Sequence, residues 1–297
     1  MDLSAPGLAG LRERLGSSLF TRVAGPSGPD NRARIHGTPG PRWFAPGRPI
    51  RTVHGDASMF IGGLRALLLQ SLHPLAMAAV AAHSGYRGDP WGRLQRTSTF
   101  LAVTTYGTAD DARRAVERVR AVHGRVHGTT AAGEPYHAAD PHLLAWVHTA
   151  EADSFLRAHQ RYGAHPLDPA GCDAYVADMA RVAVALGVPD PPRDQAELAE
   201  RMAAYRPELR ATREAREAAR FILLRPPLPW IARAPYAVLA ANAVSTLPRW
   251  AREPLGLPRL PGVEETCVRP AGQALTRTIR WAMTPPAPPR GEVGAGP

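Results

Sequence analysis

Helix start and stop signals recur along this chain and leave little room for strands. Three stretches begin with an Asp-Pro pair and end at a glycine: residues 89–107, 140–163 and 168–187. Aspartate caps the free N–H groups of a first helical turn, proline fits the first helical position, and glycine ends helices. Alternating apolar and polar runs typical of strands are scarce. The pattern predicts an all-α fold, a single bundle with about eight core helices.

Arginine supplies all 36 basic side chains, because the chain contains no lysine. This excludes chemistry that needs a lysine amine, such as pyridoxal phosphate Schiff bases and P-loop nucleotide binding. The net charge of +10 is uneven: residues 1–55 hold 8 Arg against 3 acids, and residues 245–297 hold 7 against 4. The middle holds 21 against 19. We therefore expect no nucleic-acid binding by the body of the protein.

The charge distribution and the helix signals divide the chain into three parts. Residues 1–55 are predicted to be an irregular flank rich in Arg, Pro and Gly, and residues 56–246 to be the helical domain. Residues 247–297 are predicted to form an extension with one helix and a disordered tail. Within the domain we expect one helix from Asp56 towards His83, kinked near Pro74, because proline removes a helical hydrogen bond.

The predicted compartment is the cytoplasm. Cys172 and Cys267 are far apart and have no metal-binding spacing, as expected for free thiols in a reducing environment. The first residues lack the pattern of a secretory signal. The most apolar run, residues 67–82, is too short and too polar to span a membrane.

The helix predicted in the second stretch, residues 89–107, carries two arginines near its start and no other charged residue after Asp89. Arg93, Arg96 and Thr97 fall at i, i+3 and i+4 and share one face, and residues 97–106 carry no charge. This predicts a largely buried helix, in which unpaired guanidinium groups would be costly. One interpretation is that the arginines pair with carboxylates, with Asp89 the nearest candidate. The other is that they face an anionic ligand or a polar reaction centre.

The next helix, predicted from Thr108 to Gly128, carries a histidine on its apolar face. His123 follows apolar residues at three- and four-residue steps, and His127 comes one turn later. A hydrogen-bonded core histidine is one interpretation. A zinc protease site lacks its HExxH motif, and a di-iron site lacks paired Glu-xx-His motifs. A histidine opposite arginines also suits axial binding of haem iron.

Several short motifs, taken in order, resemble one enzyme family. They are GGLRALLLQ at 62–70, LHP at 72–74, HS at 83–84, DP at 89–90, RLQRT at 93–97, Gly107, His123, Gly128, YHAADP at 136–141 and LLAWVH at 143–148. The ordered set, over about residues 55–245, resembles the haem-dependent oxygenase superfamily of rubber oxygenases and MpaB. The resemblance implies a globin-like helical fold that binds haem b.

The resemblance also implies roles for individual residues. His123 matches the axial haem-iron ligand, and Arg93 and Thr97 match polar residues on the opposite, distal side. Arg96 stands where rubber oxygenase has a lysine that caps the iron, and arginine is a poor iron ligand because it stays protonated. His127 stands where arginine is common and is predicted to contact the cofactor. The distal glutamate of rubber oxygenase has no counterpart in residues 56–116.

The resulting hypothesis is an oxygenase that uses O2 on a small, apolar, alkene-containing substrate of isoprenoid type. Arg93, Arg96 and Thr97 are its predicted catalytic residues, and His123, Arg93 and His127 its predicted cofactor contacts. A haem carrier or sensor on the same scaffold is the alternative. A third hypothesis is a cofactor-free helical protein that binds a surface or nucleic acid through its arginine-rich flanks. A peripheral membrane contact through those flanks is a further prediction.

Overall fold

A computed structural model describes residues 5–85 and 88–284. In chain order the elements are α1 (Ala5–Ala24), α2 (Gly28–Gly37), α3 (Pro49–His54), α4 (Met59–Gln70), α5 (Pro74–His83), α6 (Pro90–Tyr106), α7 (Ala109–His123), β1 (His127–Thr129), β2 (Pro135–His137), α8 (Pro141–Tyr162), α9 (Pro169–Leu186), α10 (Gln195–Tyr205), α11 (Arg213–Leu224), α12 (Trp230–Thr246), α13 (Arg249–Leu255), α14 (Pro261–Val263) and α15 (Arg269–Met283). A 3-10 turn (Arg206–Glu208) follows α10, and a π-helical turn (Glu264–Val268) joins α14 to α15. The predicted all-α, globin-like fold is confirmed.

Capping side chains place the helix starts where the sequence predicts them. The carboxylates of Asp89, Asp140 and Asp168 accept hydrogen bonds of 2.7–2.8 Å from backbone N–H groups in the first turns of α6, α8 and α9. Thr108 caps α7 in the same way, at 3.2 Å from the N–H of Asp111. At the end of α9, Gly187 has a φ of 112°, which side-chain-bearing residues rarely adopt.

The predicted helix from Asp56 to His83 is in fact two helices. Helices α4 and α5 meet at a bend of 108°, because the chain is extended at His73 and Pro74 begins a new helix. Helices α10 and α11 are likewise separate, because the 3-10 turn that contains Pro207 lies between them. In both places proline lies in the first turn of a new helical element and does not kink a continuous helix.

Helices α4 and α8 form the centre of the protein, and α12 packs against both. Arg65 in the middle of α4 is only 1% exposed, and its Nη2 lies 2.7 Å from the Asp153 carboxylate on α8. The same guanidinium donates to Ser154 Oγ at 2.7 Å and to the carbonyl of Thr246 at 3.2 Å. One buried charge thus connects three helices.

The chain ends are more ordered than their composition suggests. The prediction of an irregular flank over residues 1–55 is wrong for its described part, which contains α1, α2 and α3. Helix α1 packs against α6 and α15, so tertiary contacts stabilise a stretch whose own sequence is a weak helix former. The C-terminal part holds α13, α14 and α15 rather than one helix. The predicted disordered tail lies largely outside the described residues, which end at 284.

Within the described part of the chain, no single helix has the length and hydropathy needed to cross a membrane. The bent pair α4 and α5 meets the criterion only when its two members are taken together. Both cysteines are free; Cys172 is buried and Cys267 is exposed.

Candidate functional site

Helices α6 and α7 form a hairpin that carries the predicted site residues Arg93, Arg96, Thr97 and His123. Only Gly107 and Thr108 separate the two helices, which pack along each other. With a rise of 1.5 Å per residue, Arg93 and His123 each lie about 20 Å from this connection. Both residues therefore lie near the helix ends that are remote from the connection.

The arginine-bearing start of α6 is more exposed than predicted. The Arg96 side chain is 66% exposed and pairs with Asp89 at 3.2 Å, which matches the carboxylate-pairing interpretation. Thr97 is also exposed, and Arg93 is half-buried and donates to Ser84 Oγ at 3.2 Å. Burial begins only at Val103, because the first turns of α6 extend beyond the core.

His123 is the last residue of α7 and is half-buried. Among the described residues its ring makes no hydrogen bond. Burial lowers the pKa of His123, so the imidazole is neutral near pH 7 and offers a nitrogen lone pair. This is the protonation state that a metal-ligating histidine requires.

His127 does not share a helix face with His123. Gly124 ends α7, so the helix predicted to reach Gly128 is five residues shorter. His127 lies exposed at the start of β1, with its ring stacked on that of His137 at a centroid distance of 6.1 Å. The i, i+4 relation expected for a helical histidine pair is therefore absent.

Helix α4 has an uncovered apolar side. On the side that faces α8, a Cβ at Gly62 would lie 2.8 Å from the Phe155 ring. On another side, a Cβ at Gly63 would meet no atom within 4 Å, and Leu67, one turn later, is 36% exposed. An open apolar strip on a central helix is suited to cover by a flat apolar group such as a porphyrin.

Glu151 on α8 is a candidate functional residue that the sequence analysis missed. Burial raises the pKa of its carboxyl to about 7, yet its side chain keeps some accessible surface, and it has no hydrogen-bond partner among the described residues. A buried carboxyl that titrates near neutral pH is a candidate functional group. The sequence contains a signal for its burial, because Glu151 stands four residues after Val147 and four before Phe155, on the apolar stripe of the helix.

A small polar cluster lies close to this carboxyl. His54 Nδ1 is 2.9 Å from Thr105 Oγ1, and the Tyr175 hydroxyl is 3.5 Å from His54 Nε2. Burial lowers the pKa of His54 to about 3, so this ring is neutral. Burial also raises the pKa of Tyr175, and the Glu151 charge adds to the shift. These groups connect α3, α6, α8 and α9 around Glu151.

We expect Glu151→Gln to change the pH dependence of stability. The folded-state pKa of about 7 exceeds the usual 4.5, so folding is favoured while the carboxyl stays protonated. This contribution is complete below pH 4.5 and is lost as the pH rises through 7. At 1.36 kcal/mol per pKa unit, the loss is at most about 3 kcal/mol. Urea unfolding should therefore show Glu151→Gln more stable than the wild type at pH 8 and nearly equal at pH 5.

The exposed Glu200→Gln is the matched control and should follow the wild type at both pH values. If the stability of Glu151→Gln depended on pH in the same way as that of the wild type, the raised pKa of the Glu151 carboxyl would be wrong.

A groove of about 390 Å³ lies elsewhere, on the outer side of α7. Its lining includes Trp43, Val116, Glu117 and Ala185, and none of the predicted site residues. It is wide open to solvent, which does not suit a reaction that must exclude water.

Comparison with known proteins agrees with these features. Residues 51–281 match the family model described as ER-bound oxygenase mpaB/B'/rubber oxygenase, catalytic domain. Uncharacterized proteins of Mycobacterium bovis and Mycobacterium tuberculosis are each 35% identical to the chain over 102 residues, 34% of the chain and 39% of each relative. The match thus spans about two fifths of these relatives. No solved structure shows significant similarity. The chain belongs to the MpaB and rubber oxygenase catalytic-domain family.

Proposed function

We propose that the protein is a haem b-dependent oxygenase that uses O2 to oxidise an apolar, alkene-containing substrate of isoprenoid type. Membership of an oxygenase family supports the class of reaction. The observation that carries the haem proposal is His123, whose half-buried, neutral ring makes no hydrogen bond among the described residues. A histidine in this state could ligate haem iron.

His123 would hold the haem iron, and the uncovered strip of α4 at Gly63 and Leu67 would contact the porphyrin. Bound haem would supply the activation of O2, for which no side chain has an equivalent. His123 stands at a helix end, where its backbone is held by the α6–α7 hairpin. The ligand is therefore positioned by an element that also carries Arg93.

The polar residues of α6 would act on charge and orientation. Arg93, held by Ser84 Oγ, would place a permanent positive charge where negative charge develops during oxidation. Arg96 would contribute in the same way, but it cannot ligate iron, because its guanidinium stays protonated. The Thr97 hydroxyl is exposed and free to donate a hydrogen bond to a ligand. Exposed His127 remains a proposed cofactor contact.

Glu151 is a further candidate for proton transfer. Residues 56–116 contain no counterpart of the distal glutamate of rubber oxygenase, whereas Glu151 lies later in the chain. With a pKa raised to about 7 by burial, its carboxyl can accept or release a proton near neutral pH. We propose that it serves as the interior acid or base of the reaction.

An apolar surface beside the site supports an apolar substrate. Leu224, Trp230 and Ile231, around the connection between α11 and α12, are 76%, 82% and 70% exposed. The carbonyl of Pro227 in this connection accepts a hydrogen bond of 3.3 Å from Trp91 Nε1. Trp91 stands two residues before Arg93, so the surface borders the start of α6. Exposed apolar patches of this kind mark binding surfaces.

The test is the visible absorption spectrum of the full chain expressed with added haem precursor. We expect a Soret band and about one haem per chain, and a colourless protein would overturn the proposal. Oxygen consumption with a short polyisoprene oligomer would then separate the enzyme from its alternative. Stoichiometric haem without oxygen consumption would indicate a haem carrier or sensor.

The arginine-rich flanks bear on the remaining partners, nucleic acid and membranes. We propose no nucleic-acid ligand, since the basic excess lies in the flanks. We also propose a peripheral membrane contact through those flanks and a cytoplasmic location.

A further inference from the structure

Three side chains that could ligate a metal converge at a place that the oxygenase site does not use. His73 precedes α5, His142 lies in the first turn of α8, and Glu208 ends the 3-10 turn after α10. Glu208 Oε2 is 2.7 Å from His142 Nε2 and 3.4 Å from His73 Nε2. One potential ligand atom from each residue lies within 4.8 Å of the other two.

The backbone around these residues is held from several directions. The Asp140 carboxylate accepts from the His142 N–H at 2.8 Å, and the Tyr205 hydroxyl donates to the His142 carbonyl at 2.8 Å. The rings of Trp146 and Tyr205 pack on His73 at centroid distances of 6.3 and 6.4 Å. The three ligand positions are thus set before any ion binds, which lowers the entropic cost of binding.

The buried ring of His73 is suited to coordinate an ion. Its side chain is only 3% exposed, and neither ring nitrogen has a hydrogen-bond partner in the described structure. Its Nε2 lies 3.4 Å from Glu208 Oε2 but without hydrogen-bond geometry. A buried imidazole left in this state is costly, and coordination of Nε2 would satisfy it.

The surrounding charges are compatible with a divalent cation. The Glu208 carboxylate lies between the two imidazoles, and the guanidinium of the neighbouring Arg210 pairs with Glu134 at 3.1 Å. His142 and Glu208 are 54% and 43% exposed, so an ion and a water ligand can enter from solvent.

We propose that His73, His142 and Glu208 bind one zinc ion, with water as the fourth ligand, and thereby link α5, α8 and the end of α10. Two imidazole nitrogens and one carboxylate oxygen are a common zinc ligand set, whereas calcium and magnesium prefer oxygen ligands. Tetrahedral zinc with bonds of about 2.1 Å separates its ligand atoms by roughly 3.4 Å. The His73–Glu208 distance already has this value, and the exposed His142 needs only to move slightly away from Glu208.

The test is a titration of the full chain, treated with chelator and dialysed, with zinc sulfate in a calorimeter. We expect one equivalent of zinc to bind and to raise the thermal unfolding temperature, with no such rise from magnesium or calcium. His142→Ala and Glu208→Gln should weaken zinc binding by about 100-fold or more, since changes that only support a ligand already cost 10- to 100-fold. The side chains of His142 and Glu208 are 54% and 43% exposed, so these variants should fold. His73→Ala is not used, because it would remove a buried ring that packs against Trp146 and Tyr205.

His137→Ala is the matched control, because His137 is an exposed histidine that stacks on His127. This variant should keep the wild-type zinc affinity. Equal zinc affinity in the wild type, His142→Ala and Glu208→Gln would overturn the site, and so would a wild type that binds no zinc. The result does not depend on haem, because the site shares no residue with the α6–α7 hairpin.

Discussion

Replacing His123 by alanine should remove the Soret band of the purified protein almost completely. The ring of His123 makes no hydrogen bond among the described residues and is only half-buried, so its loss should cost little folding stability. Removal of the axial ligand takes away the bond that positions the iron. Haem content should fall about tenfold or more, because a loss of at least 1.4 kcal/mol in binding free energy weakens affinity by at least that factor. Haem content is measured by the absorbance ratio of the Soret band to 280 nm and by the pyridine haemochrome assay.

The matched control is His165→Ala, because His165 is an exposed histidine between α8 and α9 and belongs to none of the proposed sites. It should retain most of the haem. Arg93→Ala should lower the rate of oxygen consumption more than the haem content, if Arg93 acts on developing charge. A haem content that falls equally in Arg93→Ala and His123→Ala would make Arg93 a cofactor anchor. Unchanged haem in His123→Ala would disprove the axial assignment.

Replacing Asp153 by alanine should destabilise the fold by about 3 to 5 kcal/mol. The Asp153 carboxylate lies 2.7 Å from the Arg65 guanidinium, whose side chain is 1% exposed. Removal of the acid leaves a positive charge in the core with only neutral acceptors, the Ser154 hydroxyl and the Thr246 carbonyl. Urea denaturation at pH 7, followed by circular dichroism, should show a lower transition midpoint.

Arg157→Ala provides the comparison on the same carboxylate. Its Nε donates to Asp153 at 2.7 Å, but its side chain is 63% exposed, so the pair is screened by water. We expect a loss below about 1 kcal/mol. Replacing both Arg65 and Asp153 by apolar residues of similar size should cost less than Asp153→Ala alone, because no unpaired charge remains. A stability of Asp153→Ala within 1 kcal/mol of the wild type would show that the pair is not essential.

Local capping made most helix starts predictable. Asp89, Asp140 and Asp168 accept backbone hydrogen bonds where the Asp-Pro pairs indicated. Such signals depend on residues within one turn of each other, so a single sequence contains all the information needed. The resemblance to the family also followed from short motifs taken in order, and the family match confirms it.

Long-range packing accounts for the predictions that were wrong. The first 55 residues looked irregular because Pro and Gly are frequent there, yet α1 is stabilised by α6 and α15. Arg96 looked buried because its helix has few charges, yet the first turns of α6 extend beyond the core. His127 looked helical because its spacing from His123 fits a turn, yet β1 pairs with β2 through it.

By itself the sequence determined the helical class, the capped helix starts and His123 as the cofactor ligand candidate, because each depends on neighbouring residues or on an ordered motif. Only the tertiary structure decided which distant groups meet. It buried the Arg65 charge beside Asp153, buried the Glu151 carboxyl, and brought His73, His142 and Glu208 within reach of one ion. These arrangements depend on how helices pack across long stretches of chain, and burial, not residue type, sets the charge state and the cost of each group.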